Sequence, residues 1–493
     1  KKVCSWRYNC ATLGEGPPIP TSCVLSITKM DEPCFVKREM SSMGAALLSG
    51  SWPEEMEMID PIVNVLVFFA GEAPHLDALA GAFEQHLWPS YRFNSCMEKG
   101  QWVARHERMD RAYHFTEREL ANEAGVDAYV QTAMMEGLDR SYPPWRMVVL
   151  RVRQGRSGFW FRAHHTMGDG LSMLFAVCPM LGCKDGADPL SKIPLPGPLL
   201  PPSARKQQAP PPPAAKPKSC CGSCGVGSFL RGVAAPLVAK HDAELSINPP
   251  LDQRTPFLRF NRQRACFRFP AVSMSTVSAA RKRHDCSVND ILLAALTGTL
   301  RRYGAEVHND ERLRAEDKRL EFKTMLMMAL PRKLNEQDMC SSMCNNILFA
   351  SCPLPIDTAD MDERVRRTVE ACVDLKSKAY MTGLIGFTNF VKGVAPLSVL
   401  RKAASETFSK HTLLVTNVPS TTVPVTFPKE GGAEVDEIQM VFPNVITQVS
   451  IITYNGKVCA NIVADPALFP RMDDLGAIWE SELAMLSGSP GKA

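Results

Sequence analysis

The chain has 493 residues, 45% hydrophobic and 22% charged, with a formal net charge of +4. That is the composition of a globular protein with a sizeable core and two or more domains, and so small a charge speaks against a dedicated nucleic-acid binder. Seventeen cysteines without regular spacing fit reduced thiols better than a disulfide framework, and no apolar run reaches the 18 or so residues of a transmembrane helix.

In chain order, PIVNVLVFFAG (61–71) is strand-sized and apolar throughout, which predicts a buried strand. Leu76, Leu79, Phe83 and Leu87 recur at helical spacing within 74–88. Segments 145–153 and 157–165 read as strands of a hairpin joined at Gln154-Gly155. LSMLFAVCPML (171–181) is apolar on every side and therefore predicts a buried helix. Between about 184 and 232 the composition shifts to Pro, Gly, Ser, Lys and Gln, with a proline run that favours extended geometry, so this stretch reads as a linker. Beyond it, 287–303 predicts a helix with Ser287 as N-cap and Asp290 closing a capping box. Strands follow at 324–331 and 345–355, a helix at 362–380 and a strand at 411–419. The stretch 445–465 reads as two strands around Asn455-Gly456, the dipeptide best suited to a type I′ turn. The expected organisation is an N-terminal extension (1–40), a first α/β lobe (41–185), a Pro-rich linker (186–232) and a second α/β lobe (233–493).

The first lobe contains HHTMGDG (164–170). His164 and His165 end a strand, where neighbouring side chains point to opposite faces. Two such imidazoles cannot easily reach one ion, and no other ligand cluster lies beside them in sequence, so no metal is expected. Cys220, Cys221 and Cys224 form a CC-x-x-C group without a second pair, read as free or lipidated thiols rather than a zinc site. An imidazole at a strand end beside a loop is well placed to face a cleft, and with an ordinary pKa near 6.5 it accepts a proton at neutral pH. Asp169, just before the helix, is expected to cap it or to fix the turn through an arginine. Gly168 and Gly170 let the backbone turn tightly and approach a substrate.

HHTMGDG resembles the HHxxxDG motif of the coenzyme-A-dependent acyltransferase superfamily. The order of the other segments is similar to the wax ester synthase/diacylglycerol acyltransferase family. SVNDILLAALTGTLRRYG resembles its ND-containing helix, with Asn289 and Asp290 at the pair, LLVTNVPSTTVPV its NVPGP stretch, and NIVADPALFP its closing segment. The similarity covers roughly 60–485 outside the linker. It departs at Asn417–Thr421, where NVPGP is NVPST, and at Pro143-Pro144-Trp145, where PLW is usual. The DFGWG signature of the plant BAHD branch is absent.

The resemblance implies a two-lobed, chloramphenicol-acetyltransferase-like α/β fold, with mixed sheets flanked by helices and a tunnel between the lobes. His165 would be the general base, His164 its support, Asp169 and Gly170 structural parts of the motif, and Asn289 and Asp290 candidates for oxyanion or tunnel support. Asn289 reads equally as a first-turn residue bonded to its own backbone. The expected reaction moves a long-chain acyl group from acyl-CoA, a substrate rather than a cofactor, to a fatty alcohol or diacylglycerol. No cofactor and no nucleic acid are expected. Phe159, Phe161 and the helix 171–181 are expected to wall the tunnel. Apolar products imply an intracellular protein held peripherally at the endoplasmic reticulum or a lipid droplet; the linker reads first as a flexible connector, with help in attachment from Lys216, Lys218 and the neighbouring cysteines as the alternative. The alternatives are a condensation-type enzyme using another acceptor or a carrier thioester, disfavoured by the lack of a carrier segment after the closing hairpin, and a catalytically silent lipid-binding scaffold, disfavoured by the complete motif.

Overall fold

The computed structural model describes residues 37–40, 60–207, 223–250, 263–315, 320–336 and 338–488. Two seven-stranded mixed sheets, one in each lobe, organise it. The amino-terminal part gives the first sheet its strands β1 (Ile62–Phe69), β2 (Phe115–Asn122), β3 (Trp145–Gln154), β4 (Gly158–His164) and β5 (Gly182–Cys183), with helices α1 (Leu76–His86), α2 (Glu123–Ala133) and α3 (Gly170–Val177), while Lys37–Glu39, Cys96–Glu98 and Gln101–Val103 form a small separate sheet. After α4 (Ser223–Val238) come β6 (Ala265–Arg268), β7 (Val272–Ser273), α5 (Met274–Arg283), α6 (Val288–Glu306), β8 (Lys323–Ala329) and β9 (Ile347–Pro353). Helices α7 (Met361–Lys376), α8 (Lys378–Val394) and α9 (Leu397–Ser409) follow. The chain closes with β10 (Leu413–Pro419), β11 (Val425–Phe427), β12 (Ala433–Val441), β13 (Thr447–Tyr454), β14 (Lys457–Ala464) and α10 (Asp474–Ser487).

The first sheet runs β2-β3-β4-β1-β12-β11-β5 and the second β7-β14-β13-β10-β8-β9, with β6 also on β14. All seven residues of β4 are buried because the sheet is covered on both faces. Phe159, Phe161 and Ala163 pack with Phe83 and Trp145 on one side, while Trp160 packs with Val126 and Val130 of α2 on the other. The local signals in the sequence are built as expected. Ser287 and Asp290 form a reciprocal capping box at the start of α6. Asn455 and Gly456 both take positive φ (46° and 70°) between β13 and β14, as a type I′ turn requires.

Three features differ from the sequence expectation. First, β11 and β12 lie within 233–493 yet belong to the first sheet. Strand β12 pairs with β1, with Ile438 opposite Val67 and Met440 opposite Val65, and so ties the lobes together. Such pairing is set by partners hundreds of residues away, which no local pattern reports. Second, part of the 186–232 stretch is folded. Short turns at Pro189–Lys192 and Gly197–Leu199 and a helix at Pro202–Gln207 bury Ile193, Leu195, Leu200 and Ala204 against Leu171 and Phe175 of α3, and α4 begins at Ser223. Scattered apolar residues among prolines suffice here because α3 supplies the other half of that core. The proline run, Lys216, Lys218, Cys220 and Cys221 lie outside the described residues, as does the side chain of Cys224. Third, the helix expected over 362–380 breaks at Ser377, whose extended backbone ends α7 and whose hydroxyl caps α8.

Candidate functional site

Strand β4, between β3 and β1 in the first sheet, delivers the histidine pair at its end. The backbone N–H of His164 donates to Pro144 O (2.9 Å) and that of His165 to Pro61 O (2.7 Å), so the chain stays between its neighbours until it turns at His165–Met167. Buried Arg92 donates to the carbonyls of Thr166 (3.0 Å) and Met167 (3.1 Å), which fixes that turn. His164 is 2% exposed. Its Nδ1 accepts from the backbone N–H of Thr166 (3.2 Å), and burial pushes its pKa down to about 3. It is a neutral residue serving the turn.

His165 lines the cavity. Its ring is set by Asn345, 180 residues on. The Asn345 side-chain NH2 donates to His165 O (2.7 Å), so its Oδ1 is the acceptor for His165 Nδ1 at 2.9 Å. The ring proton therefore sits on Nδ1, and Nε2 carries the free lone pair. Burial also holds the His165 pKa below its ordinary value, so the ring is an unprotonated acceptor at neutral pH.

Asp169 is 2% exposed and fully engaged. Its Oδ1 caps α3 at Ser172 N (2.9 Å) and accepts from Arg332 Nη1 (2.7 Å), while Oδ2 accepts from Asn346 N (2.9 Å). Arg332 Nη1 also donates to Ser172 Oγ (2.7 Å). Asp169 is thus both helix cap and arginine partner, and by holding Asn346 it anchors the residue next to Asn345. Gly170 begins α3 on the cavity wall; a Cβ there would stand 3.5 Å from Val418.

Between the two sheets lies a cavity of about 810 Å³. Its wall takes Val63 from β1, Met440 from β12, Met327 from β8, Thr416, Asn417 and Val418 from β10, and Gln448 and Tyr454 from β13. Asn289 is on this wall, and its Oδ1 accepts from Asn417 Nδ2 (2.7 Å). Asp290 is not. It is 1% exposed, closes the capping box and pairs with Lys376 Nζ (2.6 Å), because the next residue round a helix points about 100° away. Phe159 and Phe161 are not on the wall either; strand alternation turns them into the core against Phe83 and Phe427. Of α3, Gly170 and Leu171 reach the cavity.

Sequence reasoning did not single out Asn345, Asn346, Arg332 or Arg92. The Asn-Asn doublet heading an apolar strand was a usable signal, since two amides there invite a polar partner. Nothing local names that partner. Among the described residues no group of three or more His, Cys, Asp or Glu could hold a metal ion.

Two family models match the sequence: the wax ester synthase/diacylglycerol acyltransferase catalytic domain over residues 80–292 and the WS/DGAT C-terminal domain over residues 343–487. Together they span well over half of the chain, and the first includes HHTMGDG and Asn289. The fold is similar to that of the wax ester synthase/diacylglycerol acyltransferase from Marinobacter aquaeolei VT8, with a TM-score of 0.59 at 15% identity over 91% of this chain and 99% of that one. It is also similar to the first condensation domain of the calcium-dependent antibiotic synthetase (TM-score 0.54, 12% identity, 93% and 97% covered). A third similar structure is the epimerization domain from the third module of tyrocidine synthetase B (TM-score 0.51, 13% identity, 92% and 97% covered). No curated protein matches the chain. The structural likenesses carry the two-lobed fold and the family models carry the activity: the chain belongs to the wax ester synthase/diacylglycerol acyltransferase family and is an acyl-CoA-dependent acyltransferase.

Proposed function

We propose that the protein transfers a long-chain acyl group from acyl-CoA to the hydroxyl of a fatty alcohol or of diacylglycerol, with His165 as general base. The observation that carries this is the His165 ring on the wall of the interlobe cavity, its Nδ1 proton committed to Asn345. Nε2 takes the hydroxyl proton as the alcohol oxygen bonds to the thioester carbonyl carbon. The carbonyl π electrons move onto oxygen; on collapse the C–S bond breaks, and the thiolate takes the proton back from the imidazolium. Positioned proton transfer of this kind contributes roughly 10² to 10⁴-fold. A thiol leaves with little assistance because its pKa is near 8.5, so no serine nucleophile and no cofactor is needed.

His164 supports the turn. Asp169 and Gly170 shape the loop. Asn289 is our candidate for the oxyanion donor, since its Oδ1 is taken by Asn417 and its NH2 remains as donor on the wall. Asp290 serves the helix cap. Much of the cavity wall is aliphatic or thioether, with Val63, Leu171, Met327, Val418 and Met440 beside the polar groups, and such apolar surface discriminates chain length weakly, at about 1 kcal/mol per methylene or less. Broad use of long acyl-CoAs and alcohols follows, with short polar amines reacting poorly. The natural setting we propose is intracellular and peripheral, at the endoplasmic reticulum or a lipid droplet; among the described residues no helix is long and apolar enough to cross a membrane.

The test is CoA release by the purified chain from palmitoyl-CoA, with hexadecanol, diacylglycerol and a polar amine in competition. His165→Ala is expected to lower release on the order of 10² to 10⁴-fold, and His164→Ala to cost much less. Near-normal turnover by folded His165→Ala overturns the base assignment. Preferred acylation of the amine overturns the neutral-lipid acceptor and moves the protein towards a condensation-type reaction.

A further inference from the structure

Helix α4 turns its large apolar side chains outward. Along it Val226, Phe229, Leu230 and Leu237 are 65%, 41%, 59% and 67% exposed, and their spacing (i, i+3, i+4, i+11) places them on one stripe. The face turned inward carries small residues, Ser228, Gly232 and Ala235. There α4 crosses α8 at close range: a Cβ on Gly232 would overlap the carbonyl of Tyr380, and one on Gly383 the carbonyl of Phe229. Ten large apolar side chains are exposed among the described residues, and eight of them fall on α4, α8 and α9. Single exposed apolar residues are ordinary, but such a concentration marks an interaction surface.

The charge around this surface is equally uneven. Residues 223–241 contain two Lys or Arg and residues 375–405 five, with no Asp or Glu in either stretch; of these, Arg231 is paired with Asp374 and Lys376 with Asp290. Lys240, Lys378 and Lys402 are exposed beside the helices. Two copies meeting through this face would bring positive charge against positive charge. An anionic lipid surface instead supplies both an apolar phase for the stripe and a counter-charge for the lysines.

The surface also lies over a strand, β8, that reaches the cavity. A void of about 50 Å³ beneath the helix pair is lined by Ala235, Pro236, Met325, Phe349, Tyr380 and Leu384. Met327, two residues along β8 from Met325 and on the same strand face, lines the large cavity. Two strand residues span about 6.6 Å.

We infer that α4, α8 and the start of α9 form the surface by which the protein docks on a membrane or droplet monolayer bearing anionic headgroups, with apolar substrate passing by Met325 and Met327 into the cavity. The substrate half of this rests on the proposed function; the docking half does not. Binding of the full chain to vesicles of phosphatidylcholine with about 30% phosphatidylserine is measured by co-sedimentation against phosphatidylcholine alone. Two variants are compared with the parent. One replaces the stripe (Val226→Ser, Phe229→Ser, Leu230→Gln, Leu237→Gln) and the other the flanking charge (Lys240→Glu, Lys378→Glu, Lys402→Glu). Melting temperature and transfer from octanoyl-CoA to a water-soluble alcohol serve as controls. The parent is expected to bind the anionic vesicles and to lose binding at high salt, and each variant to bind roughly tenfold more weakly or less with the controls unchanged. Undiminished binding by both variants overturns the inference. So does a parent that dimerises through the stripe and ignores vesicles. If no acyl transfer occurs to any alcohol while vesicle binding depends on the stripe, the proposed function fails and the docking surface stands.

Discussion

Asp169→Asn is nearly isosteric and removes a single charge, yet the structure predicts a large loss of stability. The carboxylate accepts from three donors at 2.7–2.9 Å, with both Asp169 and Arg332 side chains 2% exposed. An asparagine supplies one acceptor and one donor. Either the cap on Ser172 and the Arg332 bond survive and the new NH2 faces the Asn346 N–H, or the reverse holds. In both cases Arg332 becomes a buried cation without an anion. Leaving a buried charge unpaired costs about 3–5 kcal/mol, while a lost helix cap alone costs about 1, so the ion pair dominates. In the first arrangement the change also loosens Asn346, and with it the neighbouring Asn345 that sets the His165 ring, so activity falls as well. A double-mutant cycle with Arg332→Gln, read by urea unfolding, separates these contributions. Removing the cation from the Asp169→Asn protein should recover roughly 1–3 kcal/mol. Unchanged unfolding of Asp169→Asn, together with a rate loss of several orders of magnitude, would show that Asp169 acts in the chemistry and refute this reasoning.

Asn345→Ala should lower kcat roughly 5–30-fold, the equivalent of about 1–2 kcal/mol for a neutral hydrogen bond, with KM little changed; a pure KM effect in steady-state assays would contradict its role in orienting the base. Stability should fall on acidification. His164 and His114 are held neutral by burial, with pKa values of about 3 and about 4 against an ordinary 6.5, and burial lowers His165 and His411 in the same direction. Because the unfolded chain binds protons that the folded chain refuses, stability is full above pH 6.5 and declines as pH falls below it. The loss is about 2 kcal/mol by pH 5 for each of the first two, so melting temperatures that stay flat from pH 7 to 5 would contradict their burial as neutral rings.

What the sequence determined by itself was whatever is encoded within a few residues. The capping box at Ser287 and Asp290, the type I′ turn at Asn455-Gly456, the hairpin ending on the histidines and the all-apolar helix after them each depend on neighbours close along the chain. So does the role of Asp169 as a cap, because the N–H it must satisfy lies three residues away. Tertiary structure alone decided the rest. The partners that give the site its chemistry are Asn345 for His165, Arg332 and Asn346 for Asp169 and Asn417 for Asn289, at separations of more than a hundred residues. The placement of β12 in the first sheet, and with it the cavity wall at Met440, likewise follows from pairing with β1. Phe159 and Phe161 illustrate the difference. Their apolar character fitted a tunnel wall as well as a core, and the choice fell to which face of β4 meets α1 and which meets the opposite lobe. Local composition fixes that a side chain must be buried; what it is buried against is a property of the assembled sheets.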